Sequence, residues 1–286
     1  AGTKRQEKSP IVTLFMDIES STRLGILYSP EDVQRIKNAF ICIAIEIAKT
    51  FDGHIHRIMG DAVMVFFGSK KHKTENAVID ALNCAAILNY LVERIIIPQL
   101  DAEGYKDSFG IRIGIDYGSR ENVLWSAYGY PGMEEVTATS FFVDVAAKLQ
   151  HSAGRNQIML GQSLLEHVDF PTLFTTNKTE IRGGEETPVL YLQPNHSNRD
   201  GKKVNYIQKV FLWEDYLYTT VLGQKDSAAT GMTGNRGTDR IKIRAEEYDK
   251  DKKNCFGIYG ACPRILSKDR SIKFTIDIEG GQSYPL

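Results

Sequence analysis

The run IVTLFMD at 11–17 is apolar, β-branched or aromatic until it ends on an acid. A stretch that short and that apolar predicts a buried strand. Ser29-Pro30-Glu31-Asp32 supplies a capping serine, a proline at the first helical position and acids in the first turn, which together predict a helix start. Apolar residues at helical spacing carry that helix through Ile47, and it stops near Gly53. Residues 54–59 and 62–67 predict the two strands of a hairpin joined at Met59-Gly60-Asp61. Thr74-Glu75 opens a second long helix, which Pro98 is expected to end. The alternation FGIRIGID at 109–116 predicts a strand, 139–153 a helix closed by Gly154, and 157–160 another strand. The order strand, helix, hairpin, helix, strand, helix, strand predicts an α+β fold, an antiparallel-rich sheet with helices on one face.

Beyond Leu192 the pattern changes. Residues 194–203 are polar and turn-rich, the expected linker between a first domain at 1–193 and a smaller β-rich domain at 204–286. Strand-like runs occur at 204–222, 240–244, 256–259 and 272–278, and the glycine- and serine-rich 223–239 reads as a loop. No internal repeat is present.

Charge narrows the partners. Lysine plus arginine total 35 against 36 for aspartate plus glutamate, a net charge of -1, which gives no global attraction to nucleic acid or to an anionic membrane. No apolar run approaches the roughly 18 residues of a membrane helix, and the start AGTKRQEK is unlike a signal peptide. A cytoplasmic location with no membrane or nucleic-acid partner is the expectation. Cys42, Cys84, Cys255 and Cys262 form no C-x-x-C pair, and Cys42 and Cys84 lie in apolar helical runs, so both read as reduced core thiols.

Candidate chemistry begins with two acids. Asp17 ends the first strand and Asp61 sits at the hairpin tip. If the first strand pairs antiparallel with the strand beginning at Ala62, the two carboxylates become neighbours. Adjacent like charges call for a cation or a shared proton, and Mg²⁺ favours one or two carboxylates completed by substrate phosphates. Ile18-Glu19-Ser20-Ser21-Thr22 follows at once, a loop whose backbone N–H groups could cradle a triphosphate. The plain alternative is a strand-end turn and a hairpin turn.

Four segments in order, IVTLFMDIESST at 11–22, Gly53-x6-Gly60-Asp61 with AVMVFF to 67, IRIGIDYG at 111–118 and VDVAAKL at 143–149, resemble the class III nucleotidyl cyclases over about residues 10–193. The resemblance implies a ferredoxin-like sheet and a head-to-tail homodimer with sites shared between subunits. It also implies cyclisation of a nucleoside triphosphate to a 3′,5′-cyclic monophosphate plus pyrophosphate. By it, Asp17, Ile18 and Asp61 would hold two Mg²⁺ or Mn²⁺ ions, and Ile18, Ser20, Ser21 and Thr22 would bind the triphosphate.

The departures carry information. Arg57 stands where the family uses lysine for adenine or glutamate for guanine, and Thr137, with Glu135 close by, falls at the second base-reading position. An arginine is long and purely a donor, so it shortens the pocket and seeks an acceptor. Uracil offers O4, whereas the cytosine amino group would oppose it. The pattern resembles the pyrimidine cyclases of bacterial anti-phage (Pycsar) signalling. UTP is therefore the expected substrate, CTP or a purine the alternative, and the cyclic product would reach a cyclic-nucleotide-gated effector. An inactive cyclase-fold nucleotide sensor is the reading from a different class. Asp144 and Lys148 replace the family's transition-state asparagine and arginine; they would act on ribose and phosphate, or merely pair four apart on a helix. Arg182 falls near the family's triphosphate-binding lysine.

Other features read as structural. His54 and His56 share a strand face by parity without making a metal site. WSAYGY at 125–130 reads as an aromatic loop, at a dimer interface rather than over a base. The last domain loosely resembles sensor domains of bacterial nucleotide-signalling enzymes.

Overall fold

The computed structural model describes residues 6–68, 73–105, 109–130, 132–193, 196–221, 240–249, 255–259 and 270–279, with side chains through 219. The chain divides into two units, Ala1–Asn89 with Phe109–Leu212, and Tyr90–Ser108 with Trp213–Leu286.

The first unit begins with β1 (Glu7–Lys8), β2 (Ile11–Ile18), α1 (Ser21–Leu27), α2 (Pro30–Thr50), β3 (His54–Met59), β4 (Ala62–Phe67) and α3 (Thr74–Leu91). As the sequence suggests, Ser29 caps α2, its hydroxyl accepting from the Asp32 N–H at 3.2 Å, with Pro30 in the first turn. After α3 and α4 (Ile97–Ala102) come β5 (Ile111–Gly118), β6 (Leu124–Tyr130), β7 (Met133–Thr139), α5 (Phe141–Ser152), β8 (Gln157–Gly161) and α6 (Gln162–His167). Short strands β9 (Thr175–Thr176), β10 (Thr179–Arg182), β11 (Glu185–Pro188) and β12 (Gln208–Phe211) follow.

Seven strands form one sheet in the order β3-β4-β2-β5-β8-β12-β9. Within it β2-α2-β3-β4-α3-β5 is a ferredoxin-like core, antiparallel except for the β5–β8 pair. Strand parity separates its faces. Val65 and Phe67 point toward the end of α2 at Gly53, and Val12, Phe67 and Tyr117 line a small cavity with Thr74 and Ala77 of α3. The two core helices therefore share one face. Gly114, of the opposite parity, lies under α5, where a Cβ would stand 2.2 Å from the Gln150 nitrogen. Only glycine admits the helix that close.

A buried carboxyl ties the edge together. Asp116, fully buried on β5, accepts from the Tyr117 N–H at 2.9 Å, the Leu164 N–H at 3.2 Å and the Tyr206 hydroxyl at 2.6 Å. Burial outweighs these donors and pushes its pKa up to about 7.

Several expectations change. Pro98 does not end the helix. Residues 92–96 form a π-helical turn and Pro98 falls in the first turn of α4, where a missing N–H costs nothing. Strand β12, which the sequence assigned to the second domain, is hydrogen-bonded between β8 and β9. The rest of 204–221 is not strand: α7 (Trp213–Tyr216) and a π turn at Leu217–Val221 follow. Trp213, Tyr216 and Leu217 are buried at helical spacing, and Glu214 and Asp215 sit in the first turn. Cys84 is buried, but Cys42 is exposed, since the inward stripe of α2 runs through Phe40, Ile43, Ala44 and Ile47.

The helical span Thr74–Ala102 is long and apolar enough, by length and composition, to cross a membrane. Its residues Val78, Ala81, Leu82, Ala85, Ile87 and Leu88 are buried within the fold. In the second unit Arg94 pairs with Glu214 at 3.1 Å, and β13 (Arg240–Asp249) lies between β14 (Cys255–Tyr259) and β15 (Arg270–Glu279) in an antiparallel sheet. The proposed loop at 223–239 lies outside the described residues.

Candidate active site

The register of β2 against β4 pairs Met16 with Val63, which carries Asp17 to the tip of the β3–β4 hairpin, where Asp61 waits. The two carboxyls interact. Asp17 is pushed above the usual carboxylate range by burial first and by the Asp61 charge, against the pull of Arg112. Arg112, its cross-strand partner on β5, donates to Asp17 Oδ2 at 2.6 Å, and Gln150 of α5 donates to the same oxygen at 3.2 Å. Lys37 of α2 lies 3.4 Å from Asp61 Oδ1. Asp61 Oδ2 is buried and has no hydrogen-bond partner among the described residues.

That donor set suits a hard divalent cation: two carboxylates, one with an orphaned oxygen, beside the Ile18 end of β2. No third acid, histidine or cysteine joins them among the described residues. The remaining ligands would have to be backbone, water or phosphate oxygens.

A second cluster forms where β3 meets β7. The β3–β4 register slips between Ile55 and Arg57, so His56 is the extra residue of a β-bulge. Arg57 makes a two-pronged ion pair with Glu135 through Nε and Nη2. His56 Nε2 lies 2.9 Å from Thr137 Oγ1 and 3.6 Å from Glu135 Oε1. The imidazole packs on Phe66 at 4.7 Å, and Phe66 packs edge-on against Trp125 at 5.2 Å. Hydrogen bonding from Arg57 holds Glu135 below the usual carboxylate range. Burial, with the Arg57 charge beside it, holds His56 below the usual histidine range. At neutral pH the cluster is therefore an arginine, a carboxylate, a neutral imidazole and a hydroxyl.

Residues 3–193 match the family described as the adenylate and guanylate cyclase catalytic domain. The chain belongs to this family. A cytidylate cyclase of Escherichia coli is 56% identical over 288 residues, covering 98% of this chain and 58% of that protein. A cytidylate cyclase of Staphylococcus aureus is 41% identical over 207 residues, covering 72% of this chain and 48% of that protein. The chain thus spans about half the length of these curated relatives. Among solved structures, the adenylyl cyclase CyaB of P. aeruginosa superposes with a TM-score of 0.57 at 17% identity, over 73% of this chain and 95% of that one. The guanylyl cyclase Cya2 gives 0.54 at 19%, over 72% and 93%. Both share the fold.

Within this cyclase-family domain the other expected residues fall as follows. Ser20 takes a left-handed backbone, with φ 54°, at the start of α1, and Ser21 and Thr22 form the first turn of that helix rather than a loop. Asp144 is exposed in the first turn of α5. Lys148 meets not Asp144 but His196 Nε2, at 2.8 Å, and among the described residues no ion pair joins Asp144 to Lys148. Arg182 is exposed at the end of β10, bonded to Glu180 at 3.1 Å. The stretch at 125–130 is not a loop but strand β6, paired along its length with β7; Trp125 packs inward while Tyr128 and Tyr130 are exposed.

Two readings bear on chemistry. Arg57 was expected to seek an acceptor on the base, and its Nε and Nη2 meet Glu135 of the same chain. His54 pairs across the sheet with Phe66, the ring on which His56 packs, so the two histidines share that face. Arg112 and Gln150 were missed. Arg112 was readable as the residue opposite Asp17 in an antiparallel pair, whereas nothing in the sequence announces Gln150.

Proposed function

We propose that this chain carries the catalytic domain of a metal-dependent pyrimidine nucleotide cyclase, converting CTP to 3′,5′-cyclic CMP and pyrophosphate. The observation that supports the reaction is the Asp17–Asp61 pair, whose Asp61 Oδ2 meets no donor among the described residues; such a pair favours a cation, or else a proton shared between the carboxyls. Asp17, Ile18 and Asp61 would hold two Mg²⁺ or Mn²⁺ ions. When bound, these ions supply a lowered pKa for the ribose 3′-hydroxyl and neutralise the charge that grows on the leaving group. The 3′-oxygen forms its bond to the α-phosphorus as the bond from the α-phosphorus to the bridging oxygen breaks, pyrophosphate leaves with that oxygen, and the hydroxyl proton passes to water. The protein's work is positioning and charge stabilisation. Ser20, Ser21, Thr22 and Arg182 bind phosphates in this reading, and Lys148 stabilises the transferring phosphoryl group from the other subunit of a head-to-tail homodimer, with Asp144 toward the ribose.

The choice of CTP departs from the expectation of UTP and rests on the Arg57–Glu135 pair. With its Nε and Nη2 turned to Glu135, Arg57 meets the base as one member of an ion pair rather than as a lone donor. Glu135 adds an ionised acceptor, and an acidic side chain accepts from the cytosine amino group. The two relatives named cytidylate cyclase support the same choice. The wider reading is a cytoplasmic enzyme of antiviral defence whose product gates an effector, with a cyclase domain at 1–193 whose sheet also takes in strand β12, and an accessory unit beyond it.

Incubating the dimer with Mn²⁺ and equal ATP, GTP, CTP and UTP, then identifying products by mass spectrometry, tests this. Cyclic CMP in excess is the expected result. Cyclic UMP in excess would return the base choice to Arg57, and a cyclic purine would overturn the pocket argument. Binding of CTP without any product would favour a nucleotide sensor. Mixing Asp61→Ala with Lys148→Ala subunits should restore one composite site per heterodimer.

A further inference from the structure

His56 has no role in the reading above, yet it is the best-placed residue to decide what the pocket accepts. Its side chain is 7% exposed, pinned by Phe66, and its Nε2 faces Thr137 and Glu135 together. The bulge puts it there: without the extra residue, β3 would present one side chain to β7 at this level rather than both His56 and Arg57.

A neutral imidazole carries one proton, and where that proton sits fixes the role of its partner. If Nε2 bears it, His56 donates to Thr137 Oγ1, and the Thr137 hydroxyl proton remains free to donate elsewhere. If Nε2 is bare, Thr137 donates to His56 and offers only lone pairs. The ionised Glu135 oxygen 3.6 Å away favours the protonated Nε2. Arg57 and His54 are the other charged or titratable groups acting on the ring, and the Arg57 charge opposes a second proton on it, which keeps the imidazole neutral.

The pocket would then offer an acceptor at Glu135 and a donor at Thr137. Cytosine presents a donor at N4 beside an acceptor at N3. Uracil presents the reverse, an acceptor at O4 beside a donor at N3. We propose that His56 is a positioning residue that fixes Thr137 as a hydrogen-bond donor and thereby makes the pocket complementary to cytosine and not to uracil. This deepens the cyclase reading and rests on it for the presence of a pyrimidine.

The test uses binding, so that it does not depend on turnover. 3′-Deoxy-CTP and 3′-deoxy-UTP lack the attacking hydroxyl; their dissociation constants on the Mn²⁺-loaded chain give a selectivity ratio. His56→Phe keeps a ring on Phe66 but has no proton to give, and should lower the cytosine-to-uracil ratio about tenfold. His56→Gln, whose amide can donate, should restore part of it. Thr137→Val should lower the ratio similarly, and the double variant should be no worse than either single one. An unchanged ratio in a folded His56→Phe protein, or additive losses in the double variant, would overturn the proposal. A wild-type chain that binds CTP selectively without cyclising it would sink the enzymatic reading and leave this one standing. Equal binding of the two analogues by the wild type would overturn this one.

Discussion

The two halves of the site are built on opposite principles. At the metal corner, Asp17 and Asp61 are like charges brought together by plain antiparallel register, and one of their buried oxygens meets no donor among the described residues. At the base side, Arg57, Glu135, His56 and Thr137 complete one another with no ligand present. An unsatisfied site draws in its ligand; a satisfied site filters it. Affinity would come from the first and discrimination from the second.

The comparison breaks first at Asp61. Asp61→Asn removes a metal ligand and should lower cyclisation by at least about a thousandfold. In metal-free protein the same change should raise stability by about 1 kcal/mol, because it relieves the Asp61 repulsion that adds to burial in lifting the Asp17 pKa. The sign follows from the shift. A carboxyl whose folded pKa is raised contributes stability below its ordinary range and loses it as pH rises through the folded value, so the gain should appear at neutral pH and vanish in acid. Melting curves with and without Mn²⁺ read both effects. A metal-free variant that melts lower at neutral pH would show that the pair is not strained.

Glu135→Gln attacks the other half. The amide keeps the shape, but it releases Arg57 and can present a donor where the carboxylate only accepted. The preference for CTP over UTP should fall about tenfold while total turnover with Mn²⁺ falls much less. Equal losses with both nucleotides would mean that Glu135 serves the fold and not the base.

The difference between the halves also explains what could be read in advance. The metal corner was legible because its two acids close strands of ordinary parity: once 11–17 and 62–67 are strands, antiparallel pairing makes Asp17 and Asp61 neighbours. The base side was not legible, because one inserted residue shifts every side chain after it. His56 and Arg57 both reach β7, a geometry that alternation forbids. Glu135 and Thr137 stand on a strand that is exposed on both faces from Met133 to Val136, so it lacks the apolar alternation that marks a buried one. Pro98 failed as a stop for a related reason. A π turn changes the hydrogen-bond register locally, and composition does not announce it. The core βαββαβ order, by contrast, follows from caps and periodicity that no local irregularity disturbs.

Asp116 supplies the control, with the smallest effect on turnover. It is a buried carboxyl with a raised pKa, like Asp17, but its three donors come from the fold and it touches neither half of the site. A raised pKa alone would mark it as functional; its partners argue that it is a clasp between β5, α6 and the chain before β12. Its folded pKa is about 7 against an ordinary 3.8, so its contribution to stability is complete below the ordinary value and is lost as pH rises through about 7. Asp116→Asn has no such titration. The melting temperature of the wild type should therefore fall relative to this variant between about pH 4 and pH 7, while the ratio of CTP to UTP use stays the same in both. A change in that ratio would tie the clasp to the base side. A flat difference in melting temperature would mean that the three donors, and not burial, govern Asp116.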